Sequence, residues 1–212
     1  MVSVTVIAIF SLVVLLFSVI AHELAHGYVA FSLGDPTAKY EGRLSLNPFK
    51  HLDLFGSIIL PLLLFLSASP FLFGWAKPVP VNPYNFRDKK YGDMKVSLAG
   101  PASNILLAIV FGLILRFIPN EIISGNPGIG IALVYIVAIN IWLAIFNLIP
   151  VPPLDGSWIL FSLLPAGFER IKFFLRQYGI VILVLLILFG GSLWFAVTGA
   201  IFQIITGHIL TL

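Results

Sequence analysis

"FSVIAHELAHGYVAF", residues Phe17 to Phe31, places two histidines and a glutamate within an otherwise apolar stretch of the chain. The apolar residues continue on both sides, from about Val2 to Leu33, and a run of that length is enough for a helix that crosses a bilayer. Ionisable groups in such a helix are costly unless they are paired or bind a metal. We therefore expect these three side chains to carry the function of the chain.

The composition indicates a membrane protein. Of the 212 residues, 59% are hydrophobic and only 10% are charged, with a mean hydropathy of +1.07, whereas about 25% of the residues of a soluble domain are charged. The pI near 9.3 is interpreted as a sign of topology and lipid headgroups, and no nucleic acid is expected as a partner. The first 21 residues carry no charge, so we expect the first span to be retained rather than removed as a signal peptide.

The apolar runs predict an α-helical polytopic fold with about 4–6 membrane segments and short strand-like loops associated with the membrane, in a single domain, residues 1–212. After the first span, they cover residues 54–73, 94–118, a stretch from residue 129 into "NLIPVPPLDG", and a tail broken at Gly190 and Gly191. Residues 165–178 alternate basic and aromatic side chains, which is typical of an interfacial amphipathic helix.

The basic residues predict the topology. Eleven of the twelve lie in residues 34–53, 75–95 and 165–178, and the positive-inside rule places these segments in the cytoplasm. One complete crossing cannot separate two cytoplasmic loops, so residues 54–73 should form a re-entrant hairpin. The alternative is a normal span followed by a basic external loop. We expect a multi-pass protein of the cell membrane, with its active site open to the cytoplasmic side.

His22-Glu23-Leu24-Ala25-His26 is an H-E-x-x-H motif. On a helix its histidines, at positions i and i+4, project from one face and can bind one zinc ion. Glu23 adjoins the first ligand, where it can take a proton from a water that the metal activates. The motif predicts one zinc ion per chain. The alternative is a polar patch that joins two helices.

A catalytic zinc site needs a third protein ligand, and the chain contains no cysteine that could supply it. We favour Asp155, at the end of "NLIPVPPLDG", because the prolines of this segment should unwind the helix and let the carboxylate turn inward. His51 and Asp53 are the alternatives, although they flank a loop where surface or capping roles are more usual.

The pairing of "HELAH" with "NLIPVPPLDG" resembles the site-2 protease family of intramembrane zinc metalloproteases. "SLAGPASN", residues 97–104, looks like the Ala-Gly-Pro stretch of the family, and "GWAKPVPVNP" is similar to a segment of its small prokaryotic members. We expect no PDZ-type domain in this chain, although many members carry one. The run at residues 54–73 lengthens the interval between the two motifs relative to the most compact relatives, which leaves the helix count open.

The resemblance implies a site made of His22, His26 and Asp155 as zinc ligands, Glu23 as general acid and base, and Asn147 as the group that stabilises the oxyanion or the substrate. It also implies that the chain is an endopeptidase that cleaves transmembrane segments of other membrane proteins in regulated intramembrane proteolysis. The lipid bilayer and transmembrane protein substrates would then be its partners.

Several polar or extended features have simpler interpretations. Asn147 could instead make an ordinary helix–helix hydrogen bond, and for Asn104 we favour a packing role beside Gly100 and Pro101. "KPVPVNP" has the alternation of an edge strand that could pair with an unwound substrate, or it is a proline-rich connector.

A metal transporter and an inactive helix-binding scaffold are the competing functions. Neither of them needs a glutamate between two histidines at i and i+4.

Overall fold

The computed structural model describes residues 4–59, 62–63, 66–67 and 77–210 of the chain. This part folds into eight α-helices joined by turns, which confirms the expected helical class, and it contains no β-strand where we expect short strand-like loops. In chain order the helices are α1 (Val4–Ser32), α2 (Thr37–Tyr40), α3 (Gly92–Phe117), α4 (Asn120–Gly125), α5 (Pro127–Asn147), α6 (Asp155–Leu163), α7 (Glu169–Phe189) and α8 (Gly191–Thr206).

Four of these helices, α1, α3, α5 and α7, are long and apolar enough to cross a membrane. The shortest of the four has 21 residues, which at 1.5 Å per residue is about 30 Å, the thickness of the hydrocarbon core. Helix α8 is equally apolar but has only 16 residues. The expectation of a polytopic membrane protein is confirmed.

Helices α1, α3 and α5 pack against one another, and α8 packs against α3 and α5. The largest apolar cluster lies between α3, α5 and the C-terminal segment, and its buried members are Ala108, Leu115, Leu133, Val137, Ala138, Ile141, Phe202 and Leu210. A side chain at Gly112 would place its Cβ 2.4 Å from the side chain of Ile205. Small residues at such points allow helices in a membrane to approach closely.

The loop after α1 is tied to the segment that precedes α3. The carboxylate of Asp35 is fully buried and accepts hydrogen bonds from the main-chain N–H of Asn82 (2.7 Å), from the amide of Asn85 (2.8 Å), and from the hydroxyl of Thr37. Gly34 has a φ of +107°, a conformation that glycine adopts without strain. The end of α1 and the start of α3 therefore lie at the same end of the bundle.

Three boundary predictions have different outcomes. The break at Gly190 is confirmed, since α7 ends at Phe189 and α8 begins at Gly191. The prediction of a separate helix over residues 165–178 is wrong. A 3₁₀ turn, Ala166–Phe168, leads into α7, and α7 continues past Tyr178 because no proline or cap interrupts it. Half of the run 54–73, where we expect a re-entrant hairpin, lies outside the described residues; its first part, Leu54–Ile59, is a π-helical turn.

The segment 77–82, considered above as an edge strand, has no regular secondary structure. Its N–H groups instead bind side chains and a loop carbonyl: Lys77 donates to the main-chain oxygen of His51 (2.9 Å), and Asn82 donates to Asp35. No strand pairs with it among the residues that the structure describes. In this conformation the segment is the proline-rich connector that we give as the alternative.

We predict that Asp35→Asn destabilises the protein by roughly 1.5–3 kcal/mol at neutral pH, because the amide replaces a carboxylate that accepts several hydrogen bonds. Burial by itself raises the pKa of the Asp35 carboxyl, but the hydrogen bonds from Asn82, Thr37 and Asn85 outweigh it and hold the pKa below its ordinary value. The contribution is therefore complete above the unfolded pKa of about 3.9 and is lost as the pH falls through the lower folded pKa.

Thermal unfolding in detergent, measured from pH 7 to about pH 3, checks this prediction. The difference in melting temperature between wild type and Asp35→Asn should be largest at pH 7 and should close at the acidic end. Glu41→Gln, at an exposed position of the same loop, is the matched control and should behave like the wild type. A difference that is independent of pH would contradict the role given to the Asp35 charge.

Candidate metal and active site

The two histidines of the H-E-x-x-H motif lie side by side on α1. His22 and His26 are both buried, and their ring centroids are 4.7 Å apart with the ring planes at 84°. They are one turn apart on the helix, so both rings project from the same face. That face is turned toward α3 and α6.

Asp155 reaches the same place from the far side of the bundle. Helix α5 ends at Asn147, the following turn contains the prolines of "NLIPVPPLDG", and α6 begins at Asp155 itself. A side chain at Gly156 would put its Cβ 2.2 Å from the main-chain oxygen of Leu148. Only glycine at this position lets α6 start against the end of α5, and this close approach turns the Asp155 carboxylate inward.

The three side chains converge on one point. Asp155 Oδ2 lies 3.0 Å from His22 Nε2 and 3.3 Å from His26 Nε2, and the three atoms all lie within 4.8 Å of one another. Among the described residues this is the one group of three or more His, Cys, Asp or Glu side chains with such spacing. The structure thus brings together the three residues that we expect to be metal ligands.

The hydrogen-bond contacts of His26 and Asp155 are those expected of metal ligands. His26 Nδ1 faces the main-chain oxygen of Val96 at 2.7 Å, and because a carbonyl oxygen can only accept, this nitrogen carries the proton. In a neutral ring the Nε2 atom then presents a lone pair toward Asp155. Oδ2 of Asp155 is buried and has no hydrogen-bond donor. Two imidazole nitrogens and one carboxylate oxygen are a usual ligand set of catalytic zinc.

Gly100 of α3 provides the space in which the two rings lie. A Cβ at this position would be 2.5 Å from the Nε2 atom of His22 and 2.5 Å from that of His26. No real Cβ contact is that short, so any larger residue would displace the rings. The Ala-Gly-Pro stretch is thus part of the site, because its glycine allows α3 to approach α1.

Glu23 lies beside the three side chains and is held by the segment that follows residue 76. Its Oε2 atom accepts a hydrogen bond of 2.8 Å from the main-chain N–H of Val79. Arg43, which is buried, fixes this segment by donating to the main-chain oxygens of Lys77 (2.8 Å) and Pro78 (3.1 Å), and also to that of Lys50. The loop after α1 therefore determines where the Glu23 carboxylate is anchored.

A cavity of about 420 Å³ joins these groups. Its lining combines the motif residues with side chains of the segment 77–83, of α3, of the end of α5, and of α6 with the turn before it: His22, Glu23, His26, Pro78, Val79, Val81, Pro83, Asp93, Val96, Ser97, Asn147, Pro153, Asp155 and Trp158. Asn147 is half-buried, and its amide donates to the main-chain oxygen of Leu143 in its own helix (2.9 Å). The hydrogen bond that the structure gives it is thus not a helix–helix contact.

The two alternative ligands lie elsewhere. His51 is buried with Nε2 against the main-chain oxygen of Ser45 (2.7 Å), and Asp53 accepts from the main-chain N–H of Gly56 (2.7 Å). Sequence reasoning underrated Asn104, whose side-chain oxygen is 2.6 Å from His22 Nδ1. A signal was present, because an asparagine in an apolar helix needs a polar partner, but the sequence does not say which partner it has.

Comparisons with known proteins identify the family of this chain. The model of peptidase family M50 matches residues 122–191. YwhC of Bacillus subtilis is 41% identical over 178 residues, which cover 82% of this chain and 78% of YwhC. The chain belongs to peptidase family M50. This is the site-2 protease family, so the resemblance found in the sequence is confirmed, and so is the expectation of a metalloprotease, because family M50 is proteolytic.

Two other relatives are less similar to this chain. MJ0611 of Methanocaldococcus jannaschii is 33% identical over 164 residues, which cover 71% of this chain and 72% of MJ0611. Rip2 of Mycolicibacterium smegmatis is 31% identical over 175 residues, which cover 82% of this chain but only 64% of Rip2. All three relatives carry the words "zinc metalloprotease" in their names. No solved structure gives a significant match.

We predict that Gly100→Ala abolishes tight metal binding, because its Cβ would overlap the Nε2 atoms of both histidines. Zinc per chain, measured by elemental analysis after gentle purification, should fall from about one to near zero. Gly199→Ala, in α8, adds the same methyl group where nothing lies within 4 Å and should keep the wild-type zinc content. Full zinc content in Gly100→Ala would show that the ligands are not these two nitrogen atoms.

Proposed function

We propose that this M50 peptidase is an intramembrane zinc endopeptidase, which hydrolyses peptide bonds within or near transmembrane segments of other membrane proteins, as in regulated intramembrane proteolysis. The observation that supports this most is the convergence of His22, His26 and Asp155 beside Glu23, in a cavity among helices long enough to cross a membrane. His22 lies ten residues before the end of α1, which places the site roughly 15 Å from that end of the helix.

In this proposal His22, His26 and Asp155 hold one zinc ion per chain. When bound, zinc polarises the scissile carbonyl and lowers the pKa of a water molecule to about 7. Glu23 accepts the proton of the attacking water and returns it to the leaving amine nitrogen. Asn147, which lines the same cavity, can donate the second hydrogen of its amide to the oxyanion.

The substrate must be unwound before it can react, because the amides of a helix are hydrogen-bonded to carbonyls four residues earlier. The wall formed by residues 78–83 is suited to hold an unwound peptide, since it lines the cavity and is anchored by Arg43 and Asp35. The partners of this enzyme are therefore transmembrane proteins and the surrounding bilayer.

We further propose that the active site opens to the cytoplasm. The basic residues support this orientation, and so does the contact between the two flanks of the run 54–73. The N–H of Lys77 donates to the main-chain oxygen of His51 (2.9 Å), so the chain enters and leaves this run at the same end of the bundle. A single complete crossing would leave its two ends on opposite sides of the membrane.

Glu23→Gln separates a peptidase from a transporter or a scaffold. Glutamine has the size of glutamate and keeps an oxygen that can accept the Val79 N–H, but it cannot take a proton from water. We predict that this variant folds, binds zinc and holds substrate, while cleavage falls by about 10² to 10⁴. The assay is cleavage of a panel of single-span proteins by purified enzyme in detergent, with and without a zinc chelator.

The exposed Glu121→Gln variant is the control for this substitution and should cleave like the wild type. Cleavage by Glu23→Gln at the wild-type rate would refute the proposed mechanism. A wild-type protein that transports metal but cleaves none of the substrates would favour the transporter.

Single cysteines test the orientation. Tyr40, Tyr84 and Gln177 are exposed and lie in the three basic segments, and Ser124 is exposed in α4. We predict that cysteines at the first three positions react with an impermeant reagent only from the cytoplasmic side, and that a cysteine at Ser124 reacts from outside. Labelling of position 84 from outside would replace the re-entrant run with a full crossing.

A further inference from the structure

Three buried polar side chains connect the helices behind His22. Ser18 of α1, Asn104 of α3 and Asn140 of α5 are each at most 4% exposed, and Asn104 and Asn140 are joined by a hydrogen bond of 2.9 Å. Because an asparagine amide has one accepting and one donating end, the direction in which each amide points determines what it offers to its neighbours.

The direction of Asn140 is fixed by a main-chain carbonyl. Its Nδ2 atom donates to the main-chain oxygen of Ile136 (2.9 Å) and to the hydroxyl of Ser18 (2.9 Å). A carbonyl oxygen only accepts, so the end of the amide that faces Ile136 must be the nitrogen. The oxygen of Asn140 is therefore the atom that faces Asn104.

The direction of Asn104 follows in the same way. Its Nδ2 atom lies 2.9 Å from the Asn140 oxygen and 3.2 Å from the main-chain oxygen of Ser18, both of which are acceptors here. The Asn104 oxygen is thus left to face His22 Nδ1 at 2.6 Å. This nitrogen must carry the ring proton, and Nε2 of His22 then presents its lone pair toward Asp155.

We infer that Asn104 and Asn140 are positioning residues, which hold His22 in the one neutral tautomer that can bind metal through Nε2. This inference rests on the proposed function, because it concerns the affinity of the zinc site. The two histidines differ in this respect: a main-chain oxygen, that of Val96, orients His26, whereas a side chain orients His22. Substitution at position 104 can therefore change the first ligand alone.

Two substitutions of Asn104 separate positioning from stability. Asn104→Asp keeps an oxygen that accepts from His22 Nδ1, but it turns a carboxylate toward the oxygens of Asn140 and Ser18. Asn104→Leu has a similar size and offers His22 no acceptor. A buried carboxylate opposite two acceptors should leave Asn104→Asp no more stable than Asn104→Leu. Asn104→Asp should nevertheless bind zinc more tightly than Asn104→Leu.

The measurements are the dissociation constant of zinc, obtained by competition with a chelator on metal-free protein, the visible spectrum of the cobalt(II)-substituted protein, and the melting temperature. We expect the zinc affinity of Asn104→Leu to fall by about 10- to 100-fold, as it does when other partners of metal-binding histidines are replaced. The zinc affinity of Asn104→Asp should stay within about tenfold of wild type. The cobalt spectrum should change in Asn104→Leu.

Thr206→Val is the matched control. It removes another fully buried hydrogen bond, from the Thr206 hydroxyl to the main-chain oxygen of Phe202 in α8, and should leave zinc affinity and the cobalt spectrum unchanged. Asn140→Leu removes one of the two acceptors that orient Asn104. It should weaken zinc binding by less than Asn104→Leu does, and it keeps the inference testable if Asn104→Leu does not fold.

If the wild type binds zinc tightly, two results overturn the inference. In the first, Asn104→Leu keeps its zinc affinity within about twofold of wild type and keeps the wild-type cobalt spectrum. In the second, zinc affinity follows melting temperature across the variants. Unchanged zinc affinity in Asn140→Leu would also overturn it for that residue. A wild type that binds no zinc would instead contradict the proposed function, and the inference with it.

Discussion

The lone pairs of two imidazoles and one carboxylate meet at a buried point, and most of the surrounding structure serves this arrangement. Asp155 Oδ2 lies 3.0 Å and 3.3 Å from the Nε2 atoms of His22 and His26 and has no hydrogen-bond donor. Such a group is costly in an apolar bundle unless a proton or a metal ion neutralises it. Helix α1 supplies both rings, α3 supplies the space at Gly100, and the proline-rich turn before α6 brings in the carboxylate.

Polar contacts in the loops outside the helical bundle hold Glu23 in place. Arg43 and Asp35 are both buried, and both bind the segment that runs along the cavity. This segment in turn donates the Val79 N–H to Glu23. The carboxylate that we propose as general base is therefore coupled to the loops at one end of the bundle, whereas the proposed ligands are coupled to the interior of the helices.

Much of the fold and of the site could be predicted because the signals are local. The long apolar runs gave the membrane helices, and the spacing of His22, Glu23 and His26 placed both rings on one face of a helix. The prolines before Asp155 favour it as a ligand, because several prolines in one short segment interrupt a helix, whereas the single Pro101 lies within α3. The boundary of the amphipathic segment 165–178 was misjudged, because a change in composition from basic to apolar does not stop a helix that can continue.

The sequence by itself determined the class of the protein, the candidate ligands and the family, since these depend on composition, on helical periodicity and on a short motif. Only the tertiary structure decided what surrounds them: that Asn104 faces His22, that Gly100 makes room for two rings, and that Val79 binds Glu23. Those contacts join residues 56 to 82 positions apart. Direction and distance between such residues are set by how the helices pack, and no local pattern in the chain encodes them.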